Sequence, residues 1–213
     1  MKTQKLLIVG AGGFGREVHA WLTDWVELNP GWSIAGFIND GEGSLNRFNH
    51  YPDIVSTVDA YVPQHDEHLV CAIANPADKR KVVEKLLAKG SVFFSLVHPS
   101  AVIGENVKIG QGTVICPFAL LSVDLTVGAF VTINVSCTIG HDAFIGDFST
   151  LSGQCDVTGG VILEEEVFMG THASVLPKVR VGRQAVIGAG SVAIRNVAEG
   201  TTVFGVPAKR ISG

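Results

Sequence analysis

His141 and Asp142 stand side by side in a stretch whose outward positions are otherwise mostly small or polar. An imidazole can accept a proton near neutral pH. An adjacent carboxylate can fix its tautomer and raise its basicity. The pair could therefore act as a general base; on chemistry alone, a solvated corner with an incidental histidine is the simpler reading. A second reactive pattern lies near the start. Gly10, Gly12 and Gly15 form G-x-G-x-x-G, a spacing that lets backbone approach a phosphate at a helix N-terminus. Asn39 and Asp40 fall where a ribose- or base-reading residue is expected after the following strand. A glycine turn that only packs helix on strand is the alternative for this loop. No outward Cys or Ser has a recognisable base beside it, which gives covalent acyl-enzyme chemistry little support. His172 lies 31 residues after His141. That is not a whole number of coils, so no shared metal is suggested and none is expected.

The elements that must carry these residues are of two kinds. From Ile103 onward, apolar side chains recur every sixth residue, through Ile109, Ile115, Leu121 and on to Ile187, with Ala193 in the last slot. Four residues after each comes a small or modest side chain, such as Val107, Thr113, Ala119 or Cys137, ending at Val197. Gly follows the apolar residue in half of the units. A period of six matches neither a lone strand nor a helix. It marks a hexapeptide-repeat parallel β-helix with three hexads to a coil. His141-Asp142 then faces outward at or near a corner. Cys137 and Cys155, 18 residues apart, become stacked inward thiols rather than a disulfide. Gly205-Val206-Pro207-Ala208 ends the repeat, and the last residues are expected to cap its open edge.

The first hundred residues read differently. Leu6 to Val9 is a buried strand. The glycine loop follows, then a helix with Val18, Trp21, Leu22, Trp25 and Val26 on one face. Ser33 to Ile38 and His68 to Ala74 are further strands, Ala77 to Lys89 a second helix, and Val92 to Val97 a last strand. This predicts a small Rossmann-like α/β unit with a parallel sheet over 1–97. The β-helix then occupies 98–213, entered through a hinge at His98-Pro99-Ser100. Only one mononucleotide-binding half fits before the repeats. A nucleotide diphosphate carrying something small therefore suits the loop better than a nicotinamide dinucleotide.

The bulk composition narrows the partners. Of the 213 residues, 46% are hydrophobic and 17% charged, and the formal net charge is −4 without a Lys/Arg cluster. Nucleic acid is not an expected partner. The apolar runs are too short for a membrane span or a signal peptide, so a cytoplasmic address is expected.

Several segments together resemble a known family. They are Ile8-Val9-Gly10-Ala11-Gly12-Gly13-Phe14-Gly15-Arg16-Glu17, Gly36-Phe37-Ile38-Asn39-Asp40, Val97-His98-Pro99-Ser100-Ala101, the hexads, Ile139-Gly140-His141-Asp142, and Gly205-Val206-Pro207-Ala208-Lys209. The chain is similar over nearly its whole length to bacterial nucleotide-sugar acetyltransferases of the bacillosamine N-acetyltransferase and sialic-acid O-acetyltransferase group. The resemblance implies a left-handed β-helix, a homotrimer, and acetyl-CoA in the groove between neighbouring β-helices. It implies a nucleotide-linked amino sugar held by the N-terminal domain, acetylated for surface glycan synthesis. His141 matches the family's base and Asp142 the acidic residue beside it. Gly12, Gly13 and Phe14, with Asn39 and Asp40, match the nucleotide-sugar site; Thr150 and Gly159 match acetyl-CoA contacts. Phe14, Asn39 and Thr150 depart from residues frequent in the family, which bears on the nucleotide and sugar more than on the reaction. Acetylation of a sugar hydroxyl, a non-catalytic nucleotide-sugar module and a nicotinamide-linked oxidoreductase are the alternatives.

Overall fold

A computed structural model describes residues 3–41 and 45–212. The chain begins with β1 (Gln4–Val9), α1 (Gly13–Glu27) and β2 (Trp32–Ile38). Next come β3 (Ile54–Ser56), β4 (Glu67–Cys71) and α2 (Pro76–Ala88). The four strands form a parallel sheet in the order β3-β2-β1-β4. Leu6 to Val9 of central β1 are all buried, as a strand covered on both faces must be. In α1 the predicted apolar stripe packs inward, with Val18 and Leu22 fully buried and Trp21 and Trp25 partly so. Asn75 caps α2 by accepting a hydrogen bond from the Asp78 N–H at 3.0 Å, and Pro76 follows at the first helical position.

Three local features differ from the sequence reading. The edge strand β3 carries no strand signal beyond three residues behind Pro52-Asp53. The run Val92 to Val97 is not one strand. Phe93 bridges to Leu69 of β4, but β5 (Leu96–Val97) pairs with Val114–Ile115 of the coils instead. The chain leaves one sheet for the other in the middle of the apolar run. His98 is also no loose hinge: it is 8% exposed, and its backbone N–H donates to Ile115 O at 2.9 Å.

From there the chain winds as a three-sided parallel β-helix. Residues pair with those 18 positions away, Thr132 with Thr150, Thr138 with Asp156 and Phe144 with Ile162. Every sixth-residue position from Ile115 to Ala193 is at most 2% exposed. Ile103, by contrast, is 37% exposed at the open first coil. Non-glycine residues from Asn106 to Gln184 take φ of 55 to 64° at the corners. L-residues adopt this left-handed conformation at a cost, so the continuous core must outweigh it at every turn. Cys137 and Cys155 are buried free thiols, as are Cys71 and Cys116. At the far end all three faces gain a last partner. Val197 bridges to Val181, and Thr202–Phe204 pairs with Val186–Ile187. Ala208 N–H donates to Val192 O at 2.8 Å. Among the described residues no helix is long and apolar enough to cross a membrane.

The α/β unit sits on the coil face that carries Val114, Thr132 and Thr150, and on the two corners flanking it. Lys79 of α2, 1% exposed, is the centre of that contact. Its Nζ donates to Phe130 O (3.0 Å), Thr132 Oγ1 (3.0 Å), Ser149 O (3.2 Å) and Thr150 Oγ1 (2.8 Å). Arg80 beside it lies over the Phe148 ring at 4.3 Å and donates to Glu165 at 2.7 Å. Burial lowers the Lys79 ammonium from 10.5 to about 8, only partly offset by the nearby thiols of Cys71 and Cys116. The unfolded chain holds this proton more tightly. Below about pH 8 both states are protonated and the burial penalty is fully present. Stability from this group then rises as the pH climbs from about 8 toward 10.5, by on the order of 3 kcal/mol. Lys79→Met removes the donor to Phe130 O and to the Thr132 and Thr150 hydroxyls, while Ser149 O keeps the Thr132 N–H, and is expected to cost about 1–3 kcal/mol at pH 7. Urea denaturation between pH 7 and 10.5 checks both points, since the variant must also lack the lysine's share of the rise.

Candidate active site

His141 and Asp142 lie at the corner between Thr138–Ile139 and Phe144–Ile145. Asp142 takes the left-handed corner conformation, φ 59°. The backbone on either side is tied to the neighbouring coils: Asp142 N–H donates to Val123 O at 3.3 Å, and Gly160 N–H donates to His141 O at 2.8 Å. Both side chains project from the prism, 65% and 68% exposed. His141 Nδ1 is 2.6 Å from Asp142 Oδ2. A carboxylate there accepts from Nδ1–H, so the lone pair belongs to Nε2. The ring lies against Gly159 of the next coil, with Nε2 toward that residue. The corner thus brings together His141, Asp142 and Gly159, and presents an oriented imidazole with an accepting nitrogen.

The glycine loop joins β1 to α1 at the carboxyl ends of the central strands. Its glycines divide by role. Gly10 has φ 105°, and a Cβ on Gly15 would stand 2.0 Å from Gly10 O, so these two bring helix onto strand. Gly12 and Gly13 are exposed, and a Cβ on Gly12 would meet nothing within 4 Å. Gly12 is also the N-cap of α1, without a side-chain cap and without an acidic residue in the first turn. This helix start can receive an anion. Phe14 packs edge-on against Trp21 at 6.0 Å. Asn39 Oδ1 accepts from Ala11 N–H at 3.1 Å while its Nδ2 donates to Gly41 O at 2.8 Å. An aspartate could accept there but not donate. Asp40 Oδ1 accepts from Val58 N–H at 2.7 Å. The Ala11–Asn39 bond ties the loop to the end of β2, while Asp40 lines a separate cavity with Val58, Asp78 and Lys85.

Thr150 is elsewhere. It is 2% exposed, beneath α2, and its hydroxyl accepts from Lys79. A cofactor contact at Thr150 does not fit that position, because the α/β unit covers it. The base corner and the glycine loop are also separated. The α/β unit occupies one face of the prism, and His141 stands at the edge opposite that face.

Two arrangements escaped the sequence reading. Lys79 lies four residues before Val83 and seven before Leu86, on the buried stripe of α2; a lysine in an apolar stripe was the available signal. The second is a chain linking Asp24 of α1, His98 and Ser100. His98 Nε2 is 3.2 Å from Asp24 Oδ2, and Nδ1 is 2.7 Å from Ser100 Oγ. Ser100 does therefore have a base beside it. The same Nδ1 also accepts from Ser100 N–H at 3.1 Å, and Ser100 Oγ accepts from Phe118 N–H at 3.1 Å. The group braces α1 against the first coil. Among the described residues no set of three or more His, Cys, Asp or Glu could hold a metal ion.

Comparison with known proteins agrees with this architecture. Residues 5–86 match the PglD N-terminal domain family. GDP-perosamine N-acetyltransferase of Escherichia coli O157:H7 is 28% identical over 210 residues, 96% of this chain and 95% of that protein. The structure of WeeI from Acinetobacter baumannii AYE matches with a TM-score of 0.86 at 29% identity, over 98% of this chain and 100% of that one. The acetyltransferase domain of PglB from Neisseria gonorrhoeae FA1090, solved with acetyl coenzyme A, matches with a TM-score of 0.85 at 27% identity. That match covers 98% of this chain and 100% of the other.

The division of the glycines is testable by folding alone. Gly15→Ala drives a methyl into a carbonyl and is expected to cost about 2 kcal/mol or more. Gly12→Ala should cost less, about 1 kcal/mol or under, since only the weaker N-cap is lost. Denaturant midpoints of the two variants check the order.

Proposed function

We propose that this chain, which belongs to the nucleotide-sugar acetyltransferases built on a hexapeptide β-helix, moves an acetyl group from acetyl-CoA to the amine of a nucleotide-linked 4-amino sugar. The product would serve surface glycan synthesis. One observation carries the reading: the 2.6 Å contact of His141 Nδ1 with Asp142 leaves Nε2 as the accepting nitrogen, on an exposed ring that lies against Gly159 of the next coil. The E. coli relative's name, a GDP-perosamine N-acetyltransferase, supports an amine acceptor.

In this scheme the sugar amine attacks the thioester carbonyl while Nε2 of His141 takes its proton. The N–C bond forms, the C–S bond breaks, and the proton passes to the departing thiolate, leaving amide and free CoA thiol. Asp142 holds the ring and stabilises the imidazolium. The backbone N–H of Gly159 is the candidate donor to the developing oxyanion. At the other mouth, Gly12 and Gly13 leave the α1 terminus open to the diphosphate. Phe14 borders the sugar, Asn39 holds the loop, and Asp40 turns its second carboxylate oxygen toward a ribose hydroxyl.

The α/β unit that carries the loop sits on the face opposite the His141 edge, and we infer that a single chain does not bring the loop and the base together. This supports a homotrimer in which the base edge of one subunit faces the glycine loop of its neighbour, with acetyl-CoA between the β-helices.

His141→Ala is expected to lower kcat/KM by at least about 10²-fold, and Asp142→Asn by less. The assay pairs acetyl-CoA with a panel of nucleotide 4-amino sugars, and mass spectrometry with NMR distinguishes N- from O-acetyl product. An Asp142 effect larger than that of His141 would reverse their roles. Co-refolding His141→Ala chains with Gly12→Trp chains should restore roughly a quarter of wild-type activity on random mixing. Neither variant alone would have it, and no recovery would mean that each site is built within one chain.

A further inference from the structure

The geometry points to Gly159 as a positioning residue: its missing side chain forms the floor on which the His141 imidazole rests. The inference rests on the reading of His141 as the base, but its test does not depend on turnover. Gly159 has no positive φ, so its backbone does not call for glycine. The demand is for space. A Cβ there would stand 2.6 Å from Nε2, 2.8 Å from Cε1 and 3.2 Å from Cδ2 of His141, and these are its three nearest neighbours. The glycines around it do other work. Gly160 takes the left-handed corner at φ 68°. A Cβ on Gly140 would meet backbone, Gly159 N at 2.6 Å, so Gly140 lets the two coils approach.

Two contacts therefore fix the ring. Asp142 holds one edge through Nδ1, and Gly159 supports the side on which Nε2 lies. Even a methyl at residue 159 must lift the imidazole, because real Cβ atoms do not come so close to ring atoms. Lifting it turns Nε2 away and loosens the bond to Asp142. Misplacement on the scale of 1 Å can cost on the order of 10²-fold in rate.

The test uses the full chain without substrate. In ¹⁵N-histidine-labelled protein, Gly159→Ala is expected to move the Nδ1 and Nε2 resonances of His141 toward those of a solvent-exposed, tautomerically mixed imidazole, leaving His98 in place. The ring is 65% exposed and can shift at little cost to the fold, so in thermal denaturation Gly159→Ala should leave Tm within about 2 °C of the parent, and likewise in a His141→Ala background. Unchanged His141 resonances would overturn the proposal. So would a loss of Tm well beyond that in both backgrounds, which would make Gly159 a requirement of the coil itself. If Gly159→Ala does not fold alone, folding of the His141→Ala/Gly159→Ala double variant supports the seat, and failure of both refutes it. An inactive role for His141 would appear in turnover of His141→Ala and would leave these readouts intact.

Discussion

Backbone pairing between residues 18 positions apart governs the rest of the molecule. Each coil has no stable edge until the next is laid on it, and the parallel hydrogen bonds fix which residue lies above which. The apolar column from Ile115 to Ala193 makes that registry favourable, since a slip would turn those side chains toward water. The left-handed corners, costly for residues such as Phe130, Asp142 and Phe148, persist because the columns on either side leave no other route. A residue's number thus gives its height along the prism and the edge or face to which it belongs.

The α/β unit uses one of those faces. Lys79 reaches two successive coils through Thr132 and Thr150, while Asp24 and His98 join α1 to the first coil. Such contacts hold the glycine mouth in a set relation to the prism. They also leave the His141 edge uncovered. An edge carrying an exposed imidazole–carboxylate pair and the half-exposed Phe144 beyond it is a surface available to a neighbouring chain.

Much of this was legible because the information is local. The hexads repeat at fixed spacing, so inward and outward positions can be read residue by residue, and the outward corner of His141-Asp142 follows. The glycine loop and the stripe of α1 are likewise short-range patterns. What could not be read depends on contacts between distant segments. Thr150 differs little in sequence from other outward threonines; only the arrival of Lys79, 71 residues earlier, makes it part of an interface. The apolar run at Val92 to Val97 satisfies both sheets equally well, and its division at Ser95 is decided by where the first coil begins. The seat at Gly159 is hidden in the same way, because a glycine after a polar residue looks like any other corner until the coil beneath it carries an imidazole.

The 18-residue pitch has a consequence for how such a chain tolerates change in length. Excising one hexad between Thr132 and His141 would leave the apolar column continuous, yet rotate everything downstream by one edge of the triangle, the docking contact at Thr150 included. The imidazole would then occupy the vertex now held by Val135, which packs against the apolar cluster of the α/β unit. Loss of three hexads would shorten the prism and return the ring to its outward edge. Insertions and deletions are therefore expected to be silent for orientation only in whole coils, so that a single missing hexad would keep the stack but turn its far part the wrong way.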